Sequence, residues 1–196
     1  MRKLNLLIKR IFDFLLTLVG TVIISPFLII IALLVKCSSE GPIFFKQERL
    51  GYRGKAFNII KFRTMVVNAE HIGAGICINE KDDPRITRIG RFLRSTSLDE
   101  LPQIFNVIKG DMSLVGPRPP VTYHPYNGYN NYPDWAKKRF DMRPGMTGLV
   151  QITIRSDAPW DDRMKIDCEY VDKFNILFDI KILLGTIKTV IKGEAI

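Results

Sequence analysis

The sequence predicts an α+β chain. A long apolar N-terminal helix, interrupted at Ser25-Pro26, precedes a small, mostly helical domain with a short β-hairpin and amphipathic helices suited to a membrane surface. Three observations carry this. Residues 11–35 are almost wholly apolar. Residues 43–50 and 56–62 are strand-like runs on either side of Gly51-Tyr52-Arg53-Gly54. Most of the remainder consists of short segments with helical spacing, punctuated by Gly and Pro. The division falls where the apolar run ends: a membrane element over 1–36 and a domain over 37–196.

The apolar run covers about 25 residues, or ~37 Å as a straight helix, against a bilayer core of about 30 Å. It is too long for a cleaved signal peptide. Lys and Arg flank both of its ends, whereas a spanning helix is oriented by an asymmetry of these residues. Pro26 removes a backbone donor in mid-run, and the Ser25 hydroxyl can relieve part of that cost. Charge and kink leave two readings balanced: a helix that enters and leaves through one leaflet, and a kinked spanning helix. Asp13, beside Lys9 and Arg10, reads as an ion-pair partner at headgroup depth.

The net charge of +9 favours an anionic partner, whether lipid headgroups, nucleotide phosphates or nucleic acid. Cys37, Cys77 and Cys168 are odd in number and lack metal-ligand spacing, which predicts a reduced, cytosol-facing domain. Two distant histidines, His71 and His124, argue against a zinc site. No P-loop or complete Gly-x-Gly-x-x-Gly fingerprint occurs.

Beyond the hairpin, Lys61 and Arg63 form a basic pair that either faces an anion or simply solvates a strand end. Residues 66–71 read as helical, Gly73-Ala74-Gly75 as a loop and Asp82-Asp83-Pro84 as a turn. Residues 85–94 read as a helix interrupted by Gly90, with Arg85, Arg88, Arg91 and Arg94 three apart, so that neighbours can converge. Ser97-Leu98-Asp99-Glu100 matches a capping box opening an apolar helix to about residue 108, with Gly110 as its stop. Residues 133–140 read as a basic, aromatic helix at headgroup level. Residues 143–148 read as a turn, 149–154 as a strand and 160–171 as a helix. Residues 174–191 form an amphipathic helix that lies either on the membrane or on the domain core.

The chemistry concentrates at Asp99-Glu100, between the arginine ladder and the stiff loop Gly116-Pro117-Arg118-Pro119-Pro120. Acids in a helix's first turn stabilise any helix through its dipole. A carboxylate pair ringed by guanidinium groups also suits a metal-bound diphosphate.

Taken together, the motifs resemble the monotopic polyprenol-phosphate phosphoglycosyl transferases of the bacterial sugar transferase family. They are Lys9-Arg10-Ile11-Phe12-Asp13, Ser25-Pro26, Gly41-Pro42-Ile43-Phe44-Phe45-Lys46-Gln47 and Lys61-Phe62-Arg63-Thr64-Met65. Then come Ser97-Leu98-Asp99-Glu100-Leu101-Pro102-Gln103, the run from Gly110 to Pro119, and Arg143-Pro144-Gly145-Met146-Thr147-Gly148-Leu149. Thr64 and Met146 stand where Ser and a branched aliphatic are expected. With no multi-helix domain ahead of it, the chain is similar to the minimal form that initiates bacterial N-linked glycan assembly.

The resemblance implies transfer of a phosphosugar from a UDP-sugar to undecaprenyl phosphate, releasing UMP. An N-acetylated aminosugar donor such as UDP-diacetylbacillosamine is expected. Asp99 is implied as nucleophile, and Glu100 with Asp99 as Mg²⁺ ligands. Lys61, Arg63, Arg88, Arg91, Arg94, Pro117, Arg118 and Pro119 are expected against phosphate or uridine. The resemblance also implies a re-entrant helix broken at Ser25-Pro26, and a monotopic placement on the cytoplasmic face of the bacterial inner membrane. Membrane lipids and later glycosyltransferases of the pathway are expected partners, and nucleic acid is not. Two other classes stay open on the residues alone: a lipid-tethered scaffold and a metal-dependent phosphatase or nuclease.

Overall fold

The computed structural model describes residues 2–69, 83–154 and 158–191. Helix α1 (Arg2–Ser38) comes first and continues through Pro26. Ring closure deprives the Val22 carbonyl of its usual donor four residues on. The Ser25 hydroxyl donates to that carbonyl instead, at 2.9 Å. Residues Leu4–Ser38 are long and apolar enough to cross a membrane. One stripe of α1 faces protein: Lys9, Asp13 and Thr17, then Leu28, Ile31 and Val35, all buried. Val22 and Ile23, between these two groups, are among its most exposed side chains.

Both ends of that stripe dock on the same domain. Near the N-terminus, Lys9 meets Asp179 at 2.5 Å and Ser113 donates to Asp13 at 2.5 Å. Arg10 donates to the carbonyls of Val107 and Ile108. Near the C-terminus, Leu28, Ile31 and Val35 pack with Phe62 and Leu93.

Strands β1 (Phe44–Leu50) and β2 (Ala56–Phe62) form the hairpin the sequence predicts, antiparallel with Phe44 opposite Phe62. Helix α2 (Arg88–Ser95) is capped by Thr87, whose hydroxyl accepts from the Gly90 amide. Gly90 does not interrupt this helix. It is buried where a Cβ would stand 2.0 Å from the Thr64 carbonyl oxygen, so its bareness lets α2 lie against residues 63–65. Helix α3 (Gln103–Lys109) ends at Gly110 in the left-handed region, φ 98°. The Asn106 side chain docks α3 on β2, accepting from Ile60 N and donating to Asn58 O.

Strand β3 (Ser113–Val115) pairs parallel with β4 (Gly145–Thr147). Between them lies α4 (Asp134–Lys137), which continues into a 3-10 turn over Lys138–Asp141. The helices α5 (Leu149–Thr153), α6 (Trp160–Lys173) and α7 (Ile176–Ile191) follow. Val115, Met142, Tyr170, Val171 and Ile182 form the core beneath them.

Three local expectations fail. Residues 149–153 are helical rather than extended, because the strand they were assigned to is the preceding Gly145–Thr147, paired with β3. Residues 66–69 hold a turn with Val66 N bonded to Arg85 O, not an α-helix. Ala136 and Phe140 are buried with Leu50, Tyr132 and Met164, so the basic helix is mainly a core element rather than a headgroup one. Gly73-Ala74-Gly75, His71, Cys77 and Asp82 lie outside the described residues.

Candidate active site

The acid pair sits on a single 3-10 turn, Leu98–Glu100, between α2 and α3. The predicted capping box does not form. Ser97 is left-handed at φ 57° and its side chain caps nothing. The reason lies in Glu100, whose Oε1 accepts from Lys61 at 2.6 Å and stands 3.4 Å from Arg118. Charge-assisted bonds of this kind outweigh a return bond to a neutral amide. The apolar helix therefore starts only at Gln103.

The two acids have different electrostatic surroundings. Burial would raise the Glu100 carboxyl, but Arg118 and Lys61, with hydrogen bonds from Lys61 and Gln103, pull it down to about 2. Asp99 is pushed above its ordinary value by burial, with neighbouring Glu100 adding to the shift and Lys61 and Arg94 opposing it. Among the described residues, no cation stands within salt-bridge distance of Asp99. One acid is thus neutralised in place. The other is half-buried and available.

The arginine ladder splits. Arg94 donates to Thr64 Oγ1 at 2.9 Å and acts electrostatically on Asp99. Arg88 and Arg91 are exposed on α2. Arg85 is buried in a two-point pair with Asp83. Arg63 needs correction as a phosphate contact. It is buried, and its guanidinium donates to the carbonyls of Val35, Ser39 and Glu40, closing the end of α1.

Pro117 and Pro119 are buried and shape the loop from which Arg118 reaches out. Backbone bonds hold that loop: Gly145 N donates to Pro117 O at 3.0 Å and Leu50 N to Pro120 O at 2.9 Å. Arg49 donates to Pro119 O at 3.1 Å, and burial, followed by the like charge of Arg118, lowers its guanidinium to about 10. Beneath Arg118, Arg139 donates to its carbonyl at 2.7 Å and to Asp167 at 2.6 Å. Both partners of that pair are 2 % exposed.

Sequence reasoning missed Arg49, Gln103, Arg139 and Asp167. Asp167 carried a signal: it falls three after Met164 and four before Val171 on the inward face of α6. An acid on an apolar stripe calls for a buried cation.

A cleft of about 460 Å³, open solvent included, is lined by Glu100 and Arg118, by Thr147 and Gln151, and by Thr186 and Thr189 of α7. No group of three or more His, Cys, Asp or Glu side chains that would hold a metal alone occurs among the described residues. Two carboxylates completed by phosphate oxygens and water form a donor set that magnesium takes, and Asp99 with Glu100 would supply the protein's part of one.

The family described as bacterial sugar transferase matches residues 4–193. The galactosyl transferase CpsE of Streptococcus agalactiae is 40% identical over 96% of this chain, which spans 43% of that protein's length. The exopolysaccharide production protein PSS of Rhizobium leguminosarum is 42% identical, covering 94% of this chain and 95% of its own. The UDP-glucose:undecaprenyl-phosphate glucose-1-phosphate transferase of Caulobacter vibrioides is 38% identical, with 95% and 70% covered. A match that takes in α1, the acid pair and the Arg118 loop alike shows that this chain belongs to the bacterial sugar transferase family.

Proposed function

We propose that the chain transfers a phosphosugar from a UDP-sugar to undecaprenyl phosphate at a membrane surface, yielding undecaprenyl-diphosphosugar and UMP and so initiating a glycoconjugate. The observation that carries this is the unequal acid pair: Glu100 held by Lys61 and Arg118, and Asp99 beside it with no cation within salt-bridge distance among the described residues. A scaffold has no use for that asymmetry.

Phosphoryl transfer rests on positioning and charge neutralisation. Arg118, Lys61 and Arg94 ring the acids and offset the donor's diphosphate. Asp99 and Glu100 would also hold Mg²⁺, which when bound masks further phosphate charge. An Asp99 carboxylate oxygen attacks the β-phosphorus. The bond from that phosphorus to the oxygen bridging the α-phosphate breaks, and UMP departs with its electron pair. This leaves the phosphosugar on Asp99 as a mixed anhydride. An oxygen of undecaprenyl phosphate then attacks the same phosphorus, the bond to Asp99 breaks, and the carboxylate is restored.

The names of the relatives, which specify galactose and glucose, favour a UDP-hexose over the N-acetylated aminosugar expected from the sequence. The re-entrant, monotopic reading of α1 is supported by the docking of both its ends on one domain. An acceptor whose tail stays in the bilayer requires a site at headgroup depth. On this reading the site lies on the cytoplasmic face of the inner membrane.

The test withholds the lipid. Protein mixed with a UDP-sugar and Mg²⁺ gives one equivalent of UMP and a sugar-phosphate adduct, seen by mass spectrometry at Asp99. Asp99→Asn loses both, with turnover falling roughly a thousandfold or more. Near wild-type turnover in that variant would defeat the assignment.

A further inference from the structure

We infer that the cleft between the Arg118 loop and α7 is the subsite for the donor's sugar ring, with Gln151 as its principal hydrogen-bonding side chain; this rests on the transferase reading above. The cleft's lining is of two kinds. Its charged groups are Glu100 and Arg118, where a diphosphate belongs. The rest of its polar lining is neutral and includes Thr147, Gln151, Thr186 and Thr189.

The amide nitrogen and oxygen of Gln151 are both buried and without a hydrogen-bond partner among the described residues. A buried amide left in that state is costly, so its presence at a cavity wall points to a ligand that satisfies it. The threonines complement it. Thr186 donates to Ile182 O at 2.9 Å, which makes Thr147 the donor in its 2.7 Å contact with Thr186. Thr189 donates to Gly185 O at 3.0 Å. With their protons committed, the hydroxyls offer lone pairs to the cleft, while Gln151 offers two N–H donors and a carbonyl. A sugar hydroxyl, which donates and accepts, matches that set.

Among the described lining residues Arg118, beside Glu100, is the one cation a phosphate would meet, and an isoprenoid chain would leave the amide unsatisfied. A sugar seated here lies on the Glu100 side of the acid turn, with its phosphate near Arg118.

The test measures three quantities on the full chain: donor kcat/KM from UMP release, inhibition by UMP, and KM for undecaprenyl phosphate. UMP carries no sugar and serves as the control. Gln151→Leu is expected to lower donor kcat/KM about tenfold or more, leaving UMP inhibition and acceptor KM within about twofold. Thr189→Val is expected to move donor kcat/KM in the same direction by about threefold, and it decides the matter if Gln151→Leu does not fold. Unchanged donor kcat/KM overturns the subsite. So does a loss that appears in acceptor KM, which would put the lipid head in the cleft, or one that appears equally in UMP inhibition. Wild-type protein that forms no UMP from any UDP-sugar overturns the transferase reading itself, and the subsite with it.

Discussion

At the scale of single residues, the site works by giving two adjacent carboxylates opposite surroundings. Burial, with Glu100 beside it, raises Asp99, while Arg118 and Lys61 hold Glu100 near 2. On the proposed mechanism Asp99 attacks in its ionised form, so the donor reaction slows as pH falls through its raised pKa. The acid limb of donor kcat/KM, which reports the free enzyme, is therefore expected above the ordinary aspartate value of about 3.9. Glu100 stays ionised throughout and adds no second limb. A pH–rate profile with its limb at or below the ordinary value would contradict this account. Asp99, Glu100 and Arg118 were legible as a cluster of acid and base in the sequence, because charge density and loop stiffness are local properties, whereas the contact of Lys61 with Glu100 is made only by the fold. Arg139 was not, since it reads as one more cation on a basic aromatic segment. Only packing shows that it supports Arg118 from below, through a buried pair with Asp167.

Among the elements, those with strong local signals appear where the sequence puts them. The hairpin forms around Gly51-Tyr52-Arg53-Gly54, and Gly110 ends α3. The misread segments are those decided at long range. Residues 149–153 lose their expected extension because the parallel partner of β3 is Gly145–Thr147. Ser97 loses its capping role because Glu100 is bound by β2 and the Arg118 loop. Arg63 shows the same override, since its guanidinium closes α1 rather than facing an anion. Arg63→Ala is accordingly expected to cost roughly 3 kcal/mol of stability, as bonds from a charged donor to buried carbonyls are lost. Thermal or denaturant unfolding measures that loss, and donor KM is expected to stay constant. A raised donor KM with unchanged stability would restore Arg63 to the phosphate site.

For the whole molecule, apolar surface is concentrated on two helices: α1, and the outer face of α7 at Leu177, Ile180, Leu184, Ile187 and Val190. Patches of this extent mark a membrane or partner interface. Because both ends of α1 dock on one domain, residue 2 and Cys37 are expected on the same side of the bilayer. An impermeant thiol reagent applied to the Arg2→Cys variant and to exposed Cys37 checks this, and labelling from opposite sides would reject the monotopic arrangement. The docking also binds anchor to catalyst. Lys9 on α1 is the buried counter-charge of Asp179 on α7, and Asp179 accepts from Tyr170 in the core. Removing α1 would strand that carboxylate in a dry interior. The cost is on the order of 3–5 kcal/mol, against a total folding free energy of about 5–15 kcal/mol for a domain. The chain is thus one cooperative unit rather than a soluble enzyme on a leash, and trimming it to escape detergent would dismantle the catalyst.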